Sequence, residues 1–290
     1  MEVAFIGAGL MGRPICERIL HAGHNLVVFN RTREKAEPLR SCGAEVAGSP
    51  EEAIGSGECV ILMLTDAAAI HEVLLQRITT GALERRTVIQ MGTIAPAESK
   101  RLGEEVLGRG GDYLEAPVLG SIPEAEKGNL LVMVGGSQKQ FERWVDLLRC
   151  LGPNPVLIAG VGKAAALKLA LNQLVGALTA SFALSLGFVQ RQGVDVDLFM
   201  KILRQSALYA PTFDKKIERM LSQDYANPNF PSKHLLKDVD LFSDEARPLD
   251  LQLSVTEGVR QLFARTLEQG FAESDYSSIH EVINPGKTLE

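Results

Sequence analysis

Residues 3–23 read VAFIGAGLMGRPICERILHAG, and the rest of the chain can be organised around them. Val3 to Ile6 is a short apolar, partly β-branched run, the pattern of a buried strand. Gly7, Gly9 and Gly12 follow in a G-x-G-x-x-G spacing, and a helical pattern continues to about His21. Gly7 allows a tight turn, Gly9 lets a pyrophosphate approach the backbone, and Gly12 lets the helix pack close to the strand. The free N–H groups and positive dipole end of the helix then face the phosphates. A second apolar run, NLVVFN at 25–30, comes at the distance a strand–helix–strand unit requires. With a strand before, a helix after and a second strand at the expected distance, the glycines read as a dinucleotide-binding turn. Gly7, Ala8, Gly9, Leu10, Met11 and Gly12 are its expected contacts.

The second strand ends in FNRTREK. An NAD site of this kind places Asp or Glu here, on the ribose hydroxyls. This chain has Asn30, then Arg31 and Thr32. A neutral amide does not repel a 2′-phosphate, and Arg31 offers it a planar fork of donors. Arg33 and Lys35 add positive field. The expectation is NADP(H).

Strand and helix signals continue to alternate. CVILMLTD at 59–66 leads to a helix from about Ala67, and RTVIQMGT at 86–93 to a helix after Pro96. YLEAPVLGS, LLVMVGG and PVLIAG complete the sheet signals, with a helix from about Gln138 to Leu151 between the last two. Such alternation implies an α/β, mainly parallel, doubly wound sheet of Rossmann type. Ligands of such sheets sit beyond the carboxyl ends of the strands, which makes Met63, Leu64 and Thr93 candidate cofactor contacts. Strand signals stop near Gly160. A single helix from Gly162 to about Gln192 would be about 45 Å long, and Gly193 would stop it. Helical patterns then recur at about 195–206, 212–222, 233–245, 254–269 and 277–283. The expected organisation is a cofactor domain at 1–161 and an all-α domain at 162–290. The long helix would join them and wall the cleft between. Dimerisation through the helices is expected, as a homodimer or homotetramer.

The 290 residues suffice for one or two domains with a sizeable core. Lys and Arg number 30 against 36 Asp and Glu. The net charge of −6 argues against nonspecific nucleic-acid binding. The apolar run after Ala164 is broken by Lys168, Asn172 and Gln173, so no membrane span is expected. The N-terminus enters a strand directly, without a basic region or cleavage site. Cys16, Cys42, Cys59 and Cys150 are scattered, without metal-ligand spacing, and read as reduced thiols of a cytoplasmic protein. No metal is expected. Asp275 and Ser277 read as caps of the last helix.

Lys168 stands out. From Ala164 to Leu178 the helix carries only three polar side chains, and lysine is almost never fully buried unless paired or functional. Lys168 and Asn172, four residues apart, share a helix face. A positioned ammonium can stabilise the oxyanion of a carbonyl receiving hydride and can protonate it. An apolar helix would desolvate that ammonium and favour proton release.

The segments FIGAGLMG, FNRT, EAPVLGS, GNLLVMVGG, VGKAAALKLALN and FPSKHLLKDVDL, in this order, resemble the β-hydroxyacid dehydrogenase family over essentially the whole chain. The resemblance is nearest to the glyoxylate/succinic semialdehyde reductase branch. It implies Lys168 as the catalytic lysine, Asn172 on the substrate, Thr93 beside the nicotinamide and Lys237 near its ribose. It places Gly120 and Ser121 in a loop whose amides bind the substrate carboxylate, with Phe230 as a wall and Asp238 as a supporting carboxylate. Leu119 departs from the pattern: a serine usually stands there, so the loop loses a donor and gains an isobutyl group. An NADPH-dependent reductase of small aldehyde acids is the leading expectation. A 3-hydroxyisobutyrate-type dehydrogenase, a reductase of bulkier carbonyl or imine compounds, and a catalytically silent nucleotide-binding scaffold are the alternatives.

Overall fold

A computed structural model describes residues 1–79 and 81–286. The chain divides into two compact units, Met1–Leu169 and Ala170–Glu290.

The first unit opens with β1 (Glu2–Ile6), α1 (Gly12–His21) and β2 (Asn25–Phe29). Two 3₁₀ turns lead to β3 (Glu45–Val46), α2 (Pro50–Ser56) and β4 (Cys59–Leu62). α3 (Ala67–His71) widens into a π-helical turn at Glu72–Gln76 before β5 (Thr87–Gln90) and α4 (Pro96–Gly108). β6 (Asp112–Glu115), β7 (Val118–Leu119), α5 (Ile122–Glu126), β8 (Leu131–Gly135), α6 (Gln138–Arg149) and β9 (Val156–Ala159) complete the sheet. The strand order is β3-β2-β1-β4-β5-β6-β8-β7, with β9 on β8. The first six strands in that order run parallel. β8 is antiparallel to both β6 and β7. The sheet signal YLEAPVLGS is divided between β6 and β7. Only the five-residue α5 links β7 to β8, too little for a crossover helix, so the chain returns in the opposite direction.

The apolar runs feed two cores by strict alternation. Val3, Phe5, Leu26, Val28, Cys59 and Ile61 point to one face of the sheet, with Trp144 of α6. Ala4, Ile6, Val27, Phe29, Val60 and Leu62 point to the other, with Ile54 of α2. Continuous apolar strands are what a sheet covered on both faces requires. Local signals start the helices: Ser49 accepts from the Glu52 amide and Asp66 from the Ala69 amide.

α7 (Lys163–Arg191) begins in the first unit and runs on into the second. By length and hydropathy alone it would qualify as a membrane span, but 44% of that window is buried within the chain. Asn172, Phe182, Ala183 and Leu186 lie on its buried side. The second unit continues with α8 (Val196–Gln205), α9 (Pro211–Ser222), α10 (Ser232–Ala246), α11 (Ser254–Glu268) and α12 (Ile279–Ile283). Its core packs Phe182, Phe213, Leu235, Val239 and Phe263. The Phe182 and Phe213 rings stack with centroids 4.6 Å apart. Asp275 accepts from the Ser277 amide, as a cap, and also holds the buried Lys216 ammonium at 2.8 Å through each oxygen.

Candidate active site

At the carboxyl end of β1 the chain turns through Gly7, whose φ is +107°. A Cβ there would stand 2.3 Å from the Met63 carbonyl oxygen, and one on Gly12 would stand 1.9 Å from that of Gly7. Both positions admit only glycine. Gly9 is different: an added Cβ would have no described atom within 4 Å. The space beside it lies open in front of the N-terminus of α1, as a pyrophosphate requires.

A cavity beside this turn is lined by Gly7, Gly9, Asn30, Arg31, Thr32, Met63 and Leu64, among others. The structure thus brings seven of the expected cofactor residues around one space. Ala8, Leu10, Met11 and Gly12 belong to the turn but do not line the cavity. Asn30 does more than replace a carboxylate: its Nδ2 donates to the Thr32 carbonyl at 2.7 Å and holds the loop. Lys35 lines the cavity, whereas Arg33 is drawn to Glu37 at 2.7 Å, beside Arg40. Sequence reasoning missed Glu72 and Arg77, which also line the cavity and pair with each other. They sit in no motif and stand at the two ends of the π-helical turn.

At the end of β5, the buried Gln90 side chain bonds both the amide and the carbonyl of Gly92, which fixes the turn leading to the half-buried Thr93. In the next loop, half-buried Leu119 ends β7 and Gly120 takes a φ of +134°. The Ser121 amide and hydroxyl both donate to Glu124 Oε2, at 2.8 and 2.7 Å. That amide already has a carboxylate partner from its own chain, and a substrate carboxylate would have to displace it.

Half-buried Lys168 stands one turn before Asn172 on α7. In the second unit, buried Asn172 donates through Nδ2 to Asp238 Oδ2 at 2.6 Å. Lys237 Nζ approaches Asp238 Oδ1 to 2.9 Å, off the line of a hydrogen bond, so this contact is an ion pair only. Asn172, Lys237 and Asp238 therefore form one polar group. Phe230 precedes α10 and meets Tyr276 edge-on at 6.0 Å. Burial, and after it the charges of Lys233 and Lys237, hold His234 below the usual histidine range, which keeps it neutral. Among the described residues, no cluster of His, Cys, Asp and Glu could hold a metal.

Residues 2–160 match the family model described as the NAD binding domain of 6-phosphogluconate dehydrogenase. Residues 162–283 match that of the NAD-binding domain of NADP-dependent 3-hydroxyisobutyrate dehydrogenase. The chain belongs to the β-hydroxyacid dehydrogenase family. It is 31% identical to 2-hydroxy-3-oxopropionate reductase of Escherichia coli, over 98% of this chain and 97% of that one. It is 30% identical to glyoxylate/succinic semialdehyde reductase 1 of Arabidopsis thaliana, over 98% of each chain. A solved structure described as Psf3 in complex with NADP+ and 2-OPP superposes with a TM-score of 0.89, at 25% identity and over 97% of this chain and 99% of that one. The chain is accordingly an NAD(P)-dependent oxidoreductase acting on hydroxy or oxo acids.

The open space at Gly9 yields a test of where the cofactor lies. Gly9→Val should fold as the parent does, with the same melting temperature, because no atom stands in the way. Its NADPH affinity, read by nucleotide fluorescence titration, should fall at least about tenfold, because the new side chain fills the pyrophosphate space. Parental affinity in that variant would move the cofactor away from the turn.

Proposed function

We propose that the protein is an NADPH-dependent reductase of small aldehyde acids of the glyoxylate or succinic semialdehyde type, with Lys168 as general acid. Residues 1–161 hold the cofactor, and 162–290 complete the substrate site and the subunit contacts. The observation that carries this reading is the placement of Lys168 and Asn172 one turn apart on α7, with Asn172 held by Asp238.

When bound, the nicotinamide supplies hydride to the carbonyl carbon. Lys168 donates a hydrogen bond to the carbonyl oxygen, stabilises the charge that grows there, and gives up its proton to form the alcohol. Asn172 orients the substrate. Asp238 keeps the Asn172 amide from rotating, and its pairing with Lys237 keeps that carboxylate from standing as an unpaired buried charge. Thr93 and Lys237 flank the nicotinamide and its ribose, and Phe230 walls the substrate. Arg31, Thr32 and Lys35 around the cavity suit a 2′-phosphate. The relatives named as reductases of glyoxylate, succinic semialdehyde and 2-hydroxy-3-oxopropionate point to the same substrate class.

A second reading rests on Leu119. It is half-buried where the family pattern has serine, and the neighbouring Ser121 amide is occupied by Glu124. Both features favour a longer or more apolar carbonyl substrate over glyoxylate. Rates on glyoxylate, succinic semialdehyde and neutral carbonyls, compared in one assay, separate the two readings. We also propose a homodimer or homotetramer, supported by the exposed stripe Leu174, Leu178, Leu184 and Phe188 along α7. The four free cysteines, of which Cys16 and Cys59 are buried, suit the reducing cytoplasm.

NADPH should be used more efficiently than NADH. Asn30→Asp should narrow or reverse that preference in steady-state kinetics, because a carboxylate repels the 2′-phosphate. Equal or better efficiency of the parent with NADH would remove the assignment. Lys168→Ala should lose about 10²–10⁴-fold in turnover, the usual contribution of a general acid, while binding NADPH with nearly parental affinity. A variant keeping more than about a tenth of the parental rate would take the acid role from Lys168.

A further inference from the structure

Glu115 is an acidic residue at the carboxyl end of a buried parallel strand, and it is 1% exposed. Its Oε1 accepts from three backbone amides at the start of α7: Gly162 at 2.9 Å, Ala164 at 2.8 Å and Ala165 at 3.1 Å. Its Oε2 accepts from the buried Ser99 hydroxyl at 2.5 Å, and Ser99 Oγ lies 2.9 Å from the Tyr113 hydroxyl. Gly135 pairs with Glu115 across the sheet, and a Cβ there would stand 2.3 Å from Oε1. Gly162, with φ +94°, turns the chain so that its amide meets the same oxygen. One carboxylate oxygen therefore gathers amides that a helix start leaves without intrahelical partners. It ties the sheet to the helix at a single point.

Lys168 lies one turn beyond Ala164 and Ala165, on the side of α7 they define. The rotation and axial position of the first turn of α7 set where the Lys168 side chain begins. We propose that Glu115 is a positioning residue for Lys168: by fixing three amides of the first turn of α7, it fixes the place from which the ammonium reaches the substrate. This rests on Lys168 being the acid. Glu115 itself touches neither substrate nor cofactor, and its contribution is geometric. What matters is where Oε1 stands, and the negative charge matters less.

Position and charge are separated by two substitutions. Glu115→Gln keeps an oxygen where Oε1 stands and lets its amide donate to Ser99 Oγ, whose own proton can turn to Tyr113. Glu115→Asp keeps the charge but withdraws the oxygens by one methylene. Turnover with NADPH and succinic semialdehyde should stay within about threefold of the parent for Gln and fall roughly 10- to 100-fold for Asp, since a misplacement of about 1 Å can cost 10²-fold. NADPH affinity should be parental in both. A Gln variant slower than the Asp variant would overturn the proposal, as would an Asp variant with parental turnover. The decisive comparison repeats Glu115→Asp in a Lys168→Ala background. If Glu115 acts through Lys168, the second substitution adds nothing there. If it lowers the residual rate by the same factor, the carboxylate acts on the fold and the proposal fails. A Lys168→Ala protein with the parental rate would instead bring down the acid assignment, and the positioning claim with it. An inactive Lys168→Ala protein beside a fully active Glu115→Asp protein would bring down the positioning claim alone.

Discussion

The start of α7 is held by one buried carboxylate, and much of the candidate chemistry depends on that hold. A helix whose first amides were left unpartnered in the interior would cost about 1–3 kcal/mol for each of them. Glu115 answers three at once and is itself kept in place by Ser99. The helix dipole favours a negative charge at this end. The same helix then carries Lys168 and, one turn on, Asn172. The helix is thus fixed at its first turn, one turn before the proposed acid Lys168.

The cofactor side follows from a different constraint, the space that only glycine leaves. Gly7 and Gly12 are required by backbone already in contact with them, so they shape the turn. Gly9 faces open space, the room that a pyrophosphate at this turn needs. Around the cavity, Asn30 trades a charge for a hydrogen bond that braces its own loop. Lys35 and Arg31 remain turned toward the cavity while Arg33 is absorbed by Glu37. Glu72 and Arg77 line the cavity as a pair, so the acidic residue there does not stand as a lone charge.

Much of this was legible in the sequence because it is local or periodic. The glycine spacing is local. The alternation of Val3, Phe5 against Ala4, Ile6 is periodic, as is the sheet-and-helix rhythm up to Gly160. Lys168 and Asn172 were legible as polar exceptions in an apolar helix. Partners distant in sequence were not. Glu115 looks like an ordinary strand residue, and its amides lie 47 to 50 positions away. Lys216 and Asp275, 59 apart, gave no sign of pairing, although Asp275 showed its capping character. Nothing in EAPVLGS announced that the chain would reverse between β6 and β8, or that Glu124 would take the Ser121 amide. Such contacts belong to tertiary structure, and no window of sequence contains both ends of them.

The central claim is that the Lys168 ammonium meets the oxygen that gains a proton. A crystal structure with NADP+ and a bound hydroxyacid product measures this directly. The account predicts Lys168 Nζ within hydrogen-bond reach of the product hydroxyl, about 2.6–3.2 Å, with the Asn172 amide on the same molecule. A hydroxyl bonded by other groups, with the Lys168 side chain directed elsewhere, would contradict it.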